Sequence, residues 1–368
     1  MVSSRAICKV LISKKGEKTV RFIGRLFRRL ISLVLLSACI FGILYLVPLT
    51  ERVDTNGLEA DASWMSRLPD TVRLNEITLP GTHQSASQFT QFPFFFKCQG
   101  CSVKDQLTSG FRFLDVRLAV ETGESGPRLK CMNSFGDCLT AAMPDSTKLY
   151  AEDVFSQCYS FLDEHPSETI LVSVKQERGS EAVSDFERLL FNAILLRADK
   201  WLLTSSIPAL GEARGRIVLL RRFQDEAGYG ASSGIPFLWD DQGGSSNTSL
   251  HAVTSPNGSY TLIVQDRYDY SNDEKWAAFN NGMAAGAREM ANGNVSLNFL
   301  NTNGTFYFNH PHNHASNLNS ALRNRGENLI GWIVIDFGEP YLARLIYSNN
   351  TFLPEGQPFS PTDPGFIF

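Results

Sequence analysis

Ile77-Thr-Leu-Pro-Gly-Thr-His-Gln-Ser85 opens the part of the chain on which the fold turns. A short apolar run reaches Pro80-Gly81 and delivers a histidine at the turn, where it faces a pocket more readily than a packed interior. Imidazole titrates near neutrality, so it can take a proton from a hydroxyl and return it. Alone, the pattern is ordinary loop; the residues downstream give it meaning.

Working outward, apolar and β-branched runs recur at 111–118, 169–175, 216–221, 261–266, 295–300 and 330–337, with a weaker one at 235–239. Segments with helical spacing of apolar residues lie at 150–164, 181–198, 273–290 and 340–347. Strands alternating with helices predict parallel βα units. The strands end on chemistry-bearing residues: His83, then Asp115 and Arg117, Lys175 and Glu177, Arg221 and Arg222, Asp266 and Tyr268, and Asp336. Ionisable residues at the carboxyl ends of successive parallel strands are what the active face of a (β/α)8 TIM barrel requires. An open doubly wound sheet gives no reason for the first and last strands to serve one place, whereas a closed barrel makes them neighbours.

The amino-terminal region has a different composition. Nine Lys/Arg and one Glu occupy the first thirty residues, and Leu30 to Leu49 then carries no charge, long enough to cross a hydrocarbon core. Basic residues ahead of the span predict a cytosolic amino terminus and a type II signal anchor, with a cleaved signal peptide as the alternative. The predicted organisation is a basic tail (1–29), a transmembrane anchor (30–49), a polar stalk (50–70) and one large α/β domain (71–368). The chain sums to −4, so its remainder beyond the basic tail carries about −12, which argues against a nucleic-acid partner. The sequons at Asn247, Asn257, Asn294, Asn303 and Asn349 all lie beyond the span, in keeping with a lumenal or extracellular domain bearing glycans. Cys98/Cys101 and Cys131/Cys138 form two close pairs; loop-stapling disulfides suit that compartment, and a zinc site is the other reading.

In their order along the chain, six blocks resemble the phosphatidylinositol-specific phospholipase C X-domain family, in its bacterial-type, single-domain branch. They are ITLPGTHQS (77–85), GFRFLDVRL (110–118), HPSETILVSVKQE (165–177), GRIVLLRRF (215–223), IVQDRY (263–268) and GWIVIDF (331–337). The resemblance implies cleavage of an inositol phospholipid without metal or cofactor, the inositol 2-hydroxyl attacking phosphorus to give a cyclic phosphate. It implies His83 as general base, Asp336 as the carboxylate that orients it, and Arg117, with Asp115 two residues before, beside the phosphate. Lys175, Glu177, Arg222, Asp266 and Tyr268 match positions around the inositol ring. A membrane phospholipid is the implied partner, and the aromatic run Phe92–Phe96 is a candidate lipid contact.

Two departures stand out. Gln84 takes the place where the family has Asp or Asn. The family's second histidine, general acid for the leaving group, is absent from Arg128-Leu-Lys-Cys-Met-Asn-Ser-Phe-Gly-Asp137. Lys130, Asp137 or the His310/His312/His314 cluster are the replacements the sequence offers; the cluster also suggests a metal site, and more simply reads as a polar loop entering a helix near Asn317. The expected function is therefore a membrane-anchored phosphoric diester hydrolase, with a barrel that binds an inositol phosphate or glycan without cleaving it as the alternative.

Overall fold

The computed structural model describes residues 4–46 and 61–350, apart from 125, 145, 179–180, 244–249 and 306–308. The chain divides into two compact units, Met1–Val47 and Pro48–Phe368. The first holds a helix, Ser4–Leu46. Within it Phe22–Ile43, with mean hydropathy 2.0, is long and apolar enough to cross a membrane. This stretch begins earlier than the predicted span, whose last three residues lie outside the described ones.

The second unit is built on β1 (Leu79–Thr82), β2 (Phe113–Gly123), β3 (Gly126–Asn133), β4 (Gly136–Asp137), β5 (Ile170–Gln176), β6 (Trp201–Leu202), β7 (Ile217–Arg221), β8 (Ile235–Pro236), β9 (His251–Thr254), β10 (Thr261–Gln265), β11 (Val295–Phe299) and β12 (Trp332–Ile335). Strands β8, β7, β5, β2, β1, β12, β11 and β10 run parallel in that spatial order. The first and last strands are thus hydrogen-bonded neighbours, as the barrel reading requires. Among the described residues no ladder joins β8 to β10. Side chains cross that seam instead: the Tyr260 hydroxyl donates to the Pro236 carbonyl. Gln242 donates to the Val264 carbonyl at 3.3 Å and accepts from the Asp266 amide at 3.0 Å.

Strand periodicity sorts the residues. Along β2, Leu114, Val116 and Leu118 pack with Val154, Phe161 and Leu190 of the flanking helices Ala151–Glu164 and Val183–Leu195. Phe113, on the other face, joins the cluster that contains Phe237, Trp332 and Val334. Asp115 and Arg117 share the face of Phe113, because alternate residues in a strand point the same way.

Two expectations need correction. Residues 61–70 are not a polar stalk: Trp64 stacks on Tyr347 with ring centroids 4.9 Å apart, donates to the Gly110 carbonyl at 2.9 Å, and sits in the core with Met65. The apolar pair Trp64-Met65 inside a polar stretch was the signal. Nor are disulfides formed: Cys98, Cys101, Cys131, Cys138 and Cys158 are free thiols, all buried. These cysteines fill the domain as small apolar groups.

Candidate active site

The parallel ladders assemble the site. Thr82 of β1 is in register with Ile335 of β12, so the next residues, His83 and Asp336, emerge side by side. The His83 amide donates to the Ile335 carbonyl at 2.9 Å, and His83 Nδ1 lies 2.8 Å from Asp336 Oδ1. Arg117 of β2 is in register with Lys175 of β5, which brings two further strands to the same rim.

The Arg117 guanidinium lies at the centre. Its Nε is 3.2 Å from Asp115 Oδ2, its Nη1 3.5 Å from Glu177 Oε1, and its Nη2 3.1 Å from His83 Nε2. The last contact fixes the imidazole tautomer. Arginine can only donate, so Nε2 carries the lone pair, and the proton sits on Nδ1, donated to Asp336. A general base aimed at a hydroxyl needs that arrangement. Burial favours the protonated form of Asp115, but Arg117, His83 and Arg222 outweigh it and hold the carboxyl at about 2. Glu177 is likewise held below its ordinary range, burial being overcome by Arg117 and Lys175. Lys175, 3.1 Å from Glu177, is pushed down by burial and by the cations Arg117 and Arg222.

The remaining predicted residues line the next arc of the rim. Arg222 donates to Asp266 at 3.2 Å and stacks over Trp239, 3.6 Å from the ring centroid. Trp239 Nε1 donates to the same Asp266 oxygen at 3.0 Å. Tyr268 donates to Asp241 at 2.7 Å. Arg221, by contrast, turns away and donates to the Phe223 carbonyl at 2.6 Å. His83, Cys98 and Asp336 place ligand-type atoms within 4.8 Å of one another, with His83 Nδ1 and Asp336 already engaged to each other.

Several positioning residues escaped the sequence reading. Gln99 donates to the carbonyls of His83 at 2.7 Å and Ile335 at 3.2 Å, and accepts from the Gly338 amide at 3.1 Å. One side chain thereby clamps both strand ends that carry the dyad. Asn319 holds the Asp336 carbonyl at 3.0 Å. Trp239 and Asp241 lie in a segment with no periodic pattern, which left only the aromatic at a weak strand's end as a signal.

The proposed replacement acids are engaged elsewhere, though His314 lies near enough to feel the charge of Asp336. Lys130 pairs with Asp137 at 2.6 Å, in a network that also holds Glu121 and Lys148. His310 caps the helix Pro311–Arg325, accepting from the His312 amide at 3.0 Å, and His314 contacts Asn272 and Asn309. That helix starts well before Asn317. Among the sequons, Asn247 lies outside the described residues and Asn257 and Asn303 are exposed. Asn294 and Asn349 use their side-chain amides internally, on Glu289 and the Leu345 carbonyl.

A parallel α/β sheet thus carries a histidine–carboxylate dyad and a buried arginine at its carboxyl edge, a set of groups that can move a proton and hold an anion. The comparisons with known proteins narrow this. No family model matches the chain. The 1-phosphatidylinositol phosphodiesterase of Staphylococcus aureus (strain Newman) is 29% identical over 295 residues, 75% of this chain and 88% of that protein. That of Listeria monocytogenes is 25% identical over 317 residues, 78% of this chain and 85% of that one. A crystal structure of phosphatidylinositol-specific phospholipase C from Staphylococcus aureus, with pentafluoro-Phe incorporated, superposes with TM-score 0.64 at 26% identity, covering 79% of this chain and 98% of that chain. The Listeria monocytogenes enzyme shares the fold, with TM-score 0.59 at 21% identity, over 79% of this chain and 99% of that one. The chain is thus a homologue of the bacterial phosphatidylinositol-specific phospholipases C, as its six sequence blocks indicated. Homologues of that kind agree with a phosphoric diester hydrolase.

Proposed function

We propose that this protein is a membrane-anchored, phospholipase C-like phosphodiesterase that cleaves an inositol phospholipid through attack of the inositol 2-hydroxyl on phosphorus. The observation that carries the reading is the contact of His83 Nε2 with Arg117, the base nitrogen unprotonated and beside the group that would hold the phosphate. In the Michaelis complex a phosphoryl oxygen takes the guanidinium's donors, which frees Nε2 for the substrate hydroxyl. Asp336 orients the ring and stabilises the imidazolium; Arg117 neutralises charge on the phosphoryl oxygens. Asp115 holds Arg117 in place. Lys175, Glu177, Arg222, Asp266 and Tyr268 present alternating donors and acceptors to ring hydroxyls. The sheet is read as a (β/α)8 barrel sealed at one seam by side chains, and the stretch within Phe22–Ile43 as a signal anchor that leaves the barrel lumenal or extracellular. The glycosylation sites belong to the same reading. So do the domain limits, with the barrel beginning at about residue 61.

The test uses the full chain in mixed micelles of detergent and phosphatidylinositol, with and without chelator, monitored by phosphorus NMR. Chelator-resistant cyclic inositol phosphate that vanishes in His83→Ala is the expected result. A folded protein that leaves the lipid and a panel of other inositol headgroups intact would sink it. That outcome would favour the second reading, a ligand-binding barrel without turnover, for which one observation speaks: Asn133, not a histidine, lies beside Gln84.

A further inference from the structure

Cys98 has no part in the proposed reaction, yet its sulfur lies among the atoms of the dyad. Cys98 Sγ, a ring nitrogen of His83 and a carboxylate oxygen of Asp336 are all within 4.8 Å of one another. Asp336 Oδ1 stands 2.8 Å from Nδ1, so Nδ1 is the nitrogen on the carboxylate's side. The three residues come from separate segments and are tied together from behind. The Cys98 carbonyl accepts from the Phe337 amide at 2.7 Å, next to Asp336, and the Cys98 amide donates to Ser87 Oγ at 3.2 Å. Gln99, the next residue, bonds the carbonyls of His83 and Ile335. Asn133 Nδ2 donates to Cys98 Sγ at 3.4 Å and to the Phe96 carbonyl at 2.8 Å.

A thiol so enclosed is poorly placed for oxidation. Cys98 is 3% exposed, and burial, followed by the charge of Asp336, pushes its thiol up, so it stays protonated and unreactive. Coordination is the chemistry left to it, because a bound metal removes a thiol proton outright. Mixed sulfur, nitrogen and oxygen donors suit zinc and its thiophilic relatives, whereas magnesium and calcium take oxygen. Zinc holds such ligands at about 2.0–2.3 Å, which sets them roughly 3–4 Å apart, within about 1 Å of the spacing already present.

We propose that His83, Cys98 and Asp336 form an inhibitory site for a thiophilic divalent cation of the zinc class. The binding stands on the cluster itself; the inhibition rests on the phosphodiesterase reading above and adds a control to it. Nδ1 can give its lone pair to a metal only without its proton, so binding puts the imidazole in the other tautomer. Nε2 then carries the proton and can accept neither from Arg117 nor from a substrate hydroxyl. The ion thus disables the base from the side facing away from Arg117. Atoms and charge balance in the step. The thiol proton leaves to solvent as sulfur bonds the metal, Nδ1 loses a proton and Nε2 gains one. One proton is released per ion, and no electron is transferred.

The experiment titrates the full chain, in detergent micelles, with cobalt(II) as a spectroscopic probe and with zinc. Cobalt bound to a thiolate gives an intense near-ultraviolet charge-transfer band, which wild type and Cys101→Ser should both show and zinc should displace. Loss of a ligand weakens a metal site at least as much as loss of its supporting shell, so Cys98→Ser should need at least about tenfold more cobalt. Zinc should also stop cleavage of phosphatidylinositol, with chelator restoring the rate. Cys98→Ser, referred to its own metal-free rate, should resist zinc by a similar factor. A wild-type spectrum without the thiolate band, or a band unaltered in Cys98→Ser, would overturn the site. Zinc bound at Cys98 with turnover undiminished would overturn the inhibition. A chain that cleaves nothing yet keeps a Cys98-dependent band would overturn the phosphodiesterase reading, and the inhibition with it, while upholding the cation site. Should Cys98→Ser fail to fold, His83→Ala, at a partly exposed position, carries the same spectral test.

Discussion

Asp115 shows how a single buried charge ties the electrostatics of the candidate site to stability. Its folded pKa of about 2 lies below the ordinary 3.8, because Arg117, His83 and Arg222 outweigh its burial. A depressed carboxylate contributes stability that is present above the unfolded value and lost as pH falls through the folded one. The contribution is on the order of 2 kcal/mol, present above about pH 4 and gone near pH 2. Urea unfolding of wild type and Asp115→Asn should therefore show a gap at pH 6 that closes between pH 4 and pH 2; a constant gap would refute the assignment. Arg117→Lys should lower kcat by about 10²–10³-fold, the usual cost of losing a preorganised donor to a phosphoryl oxygen, with folding unaffected by circular dichroism. His83, Arg117 and Asp336 were legible in the sequence because each ends a strand of a parallel sheet and stands in a block that resembles the bacterial enzymes. Gln99 and Asn133 were not: each acts through neighbours remote in the chain, and no local pattern marks a glutamine that bonds two carbonyls across adjacent strands.

The recognisable blocks are also structural elements. Arg112, at the entrance to β2, and Glu168, ahead of β5, form an ion pair of 2.7 Å with both side chains fully buried. Arg112 also donates to the carbonyls of Leu107, Phe111 and Ala62. Removing one partner of such a pair leaves a buried charge, so Glu168→Ala should cost about 3–5 kcal/mol, whereas replacing both by apolar residues should cost far less. Thermal unfolding of Glu168→Ala against Arg112→Met/Glu168→Leu measures the difference; equal losses would show that the pair's strength, not the orphaned charge, matters. Two of the six blocks thus owe part of their identity to this ion pair and not to the reaction. Strands and helices were largely legible because their apolar periods survive burial. The β2–β3 hairpin and the helix at Pro311 were not, since polar composition hides a hairpin arm and an Asn-rich helix alike.

For the whole molecule, the aromatic cluster around Phe92–Phe96 bears on contact with a bilayer. The Phe92–Phe96 run forms a short helix, Pro93–Phe96, in which Phe96 turns inward against Phe135, ring centroids 4.6 Å apart. Phe135 itself is 55% exposed with Arg178 over its ring, and Phe94 and Phe95 are half-buried. Phe94→Ser/Phe95→Ser/Phe135→Ser should weaken binding of the protein to phosphatidylinositol vesicles in a flotation assay by at least about tenfold, as losing apolar contact area implies. Unchanged flotation would remove the patch from the lipid contact. Phe96 is excluded because its loss would disturb packing. The full chain should stay in the pellet through alkaline carbonate washing, and release by that wash would exclude a spanning anchor.

The seam between β8 and β10 gives this sheet edges of unequal construction. Elsewhere neighbouring strands share backbone hydrogen bonds, so parting them would break a ladder. Beside Trp239 and Asp266 the described residues link the two sides through the side chains of Tyr260, Gln242, Trp239 and Tyr268, while β9 pairs antiparallel with the outer edge of β10. Each stitch is a single side chain, worth about 1 kcal/mol. Substitution can therefore loosen that seam one stitch at a time, apart from the ladders that carry His83, Arg117 and Asp336.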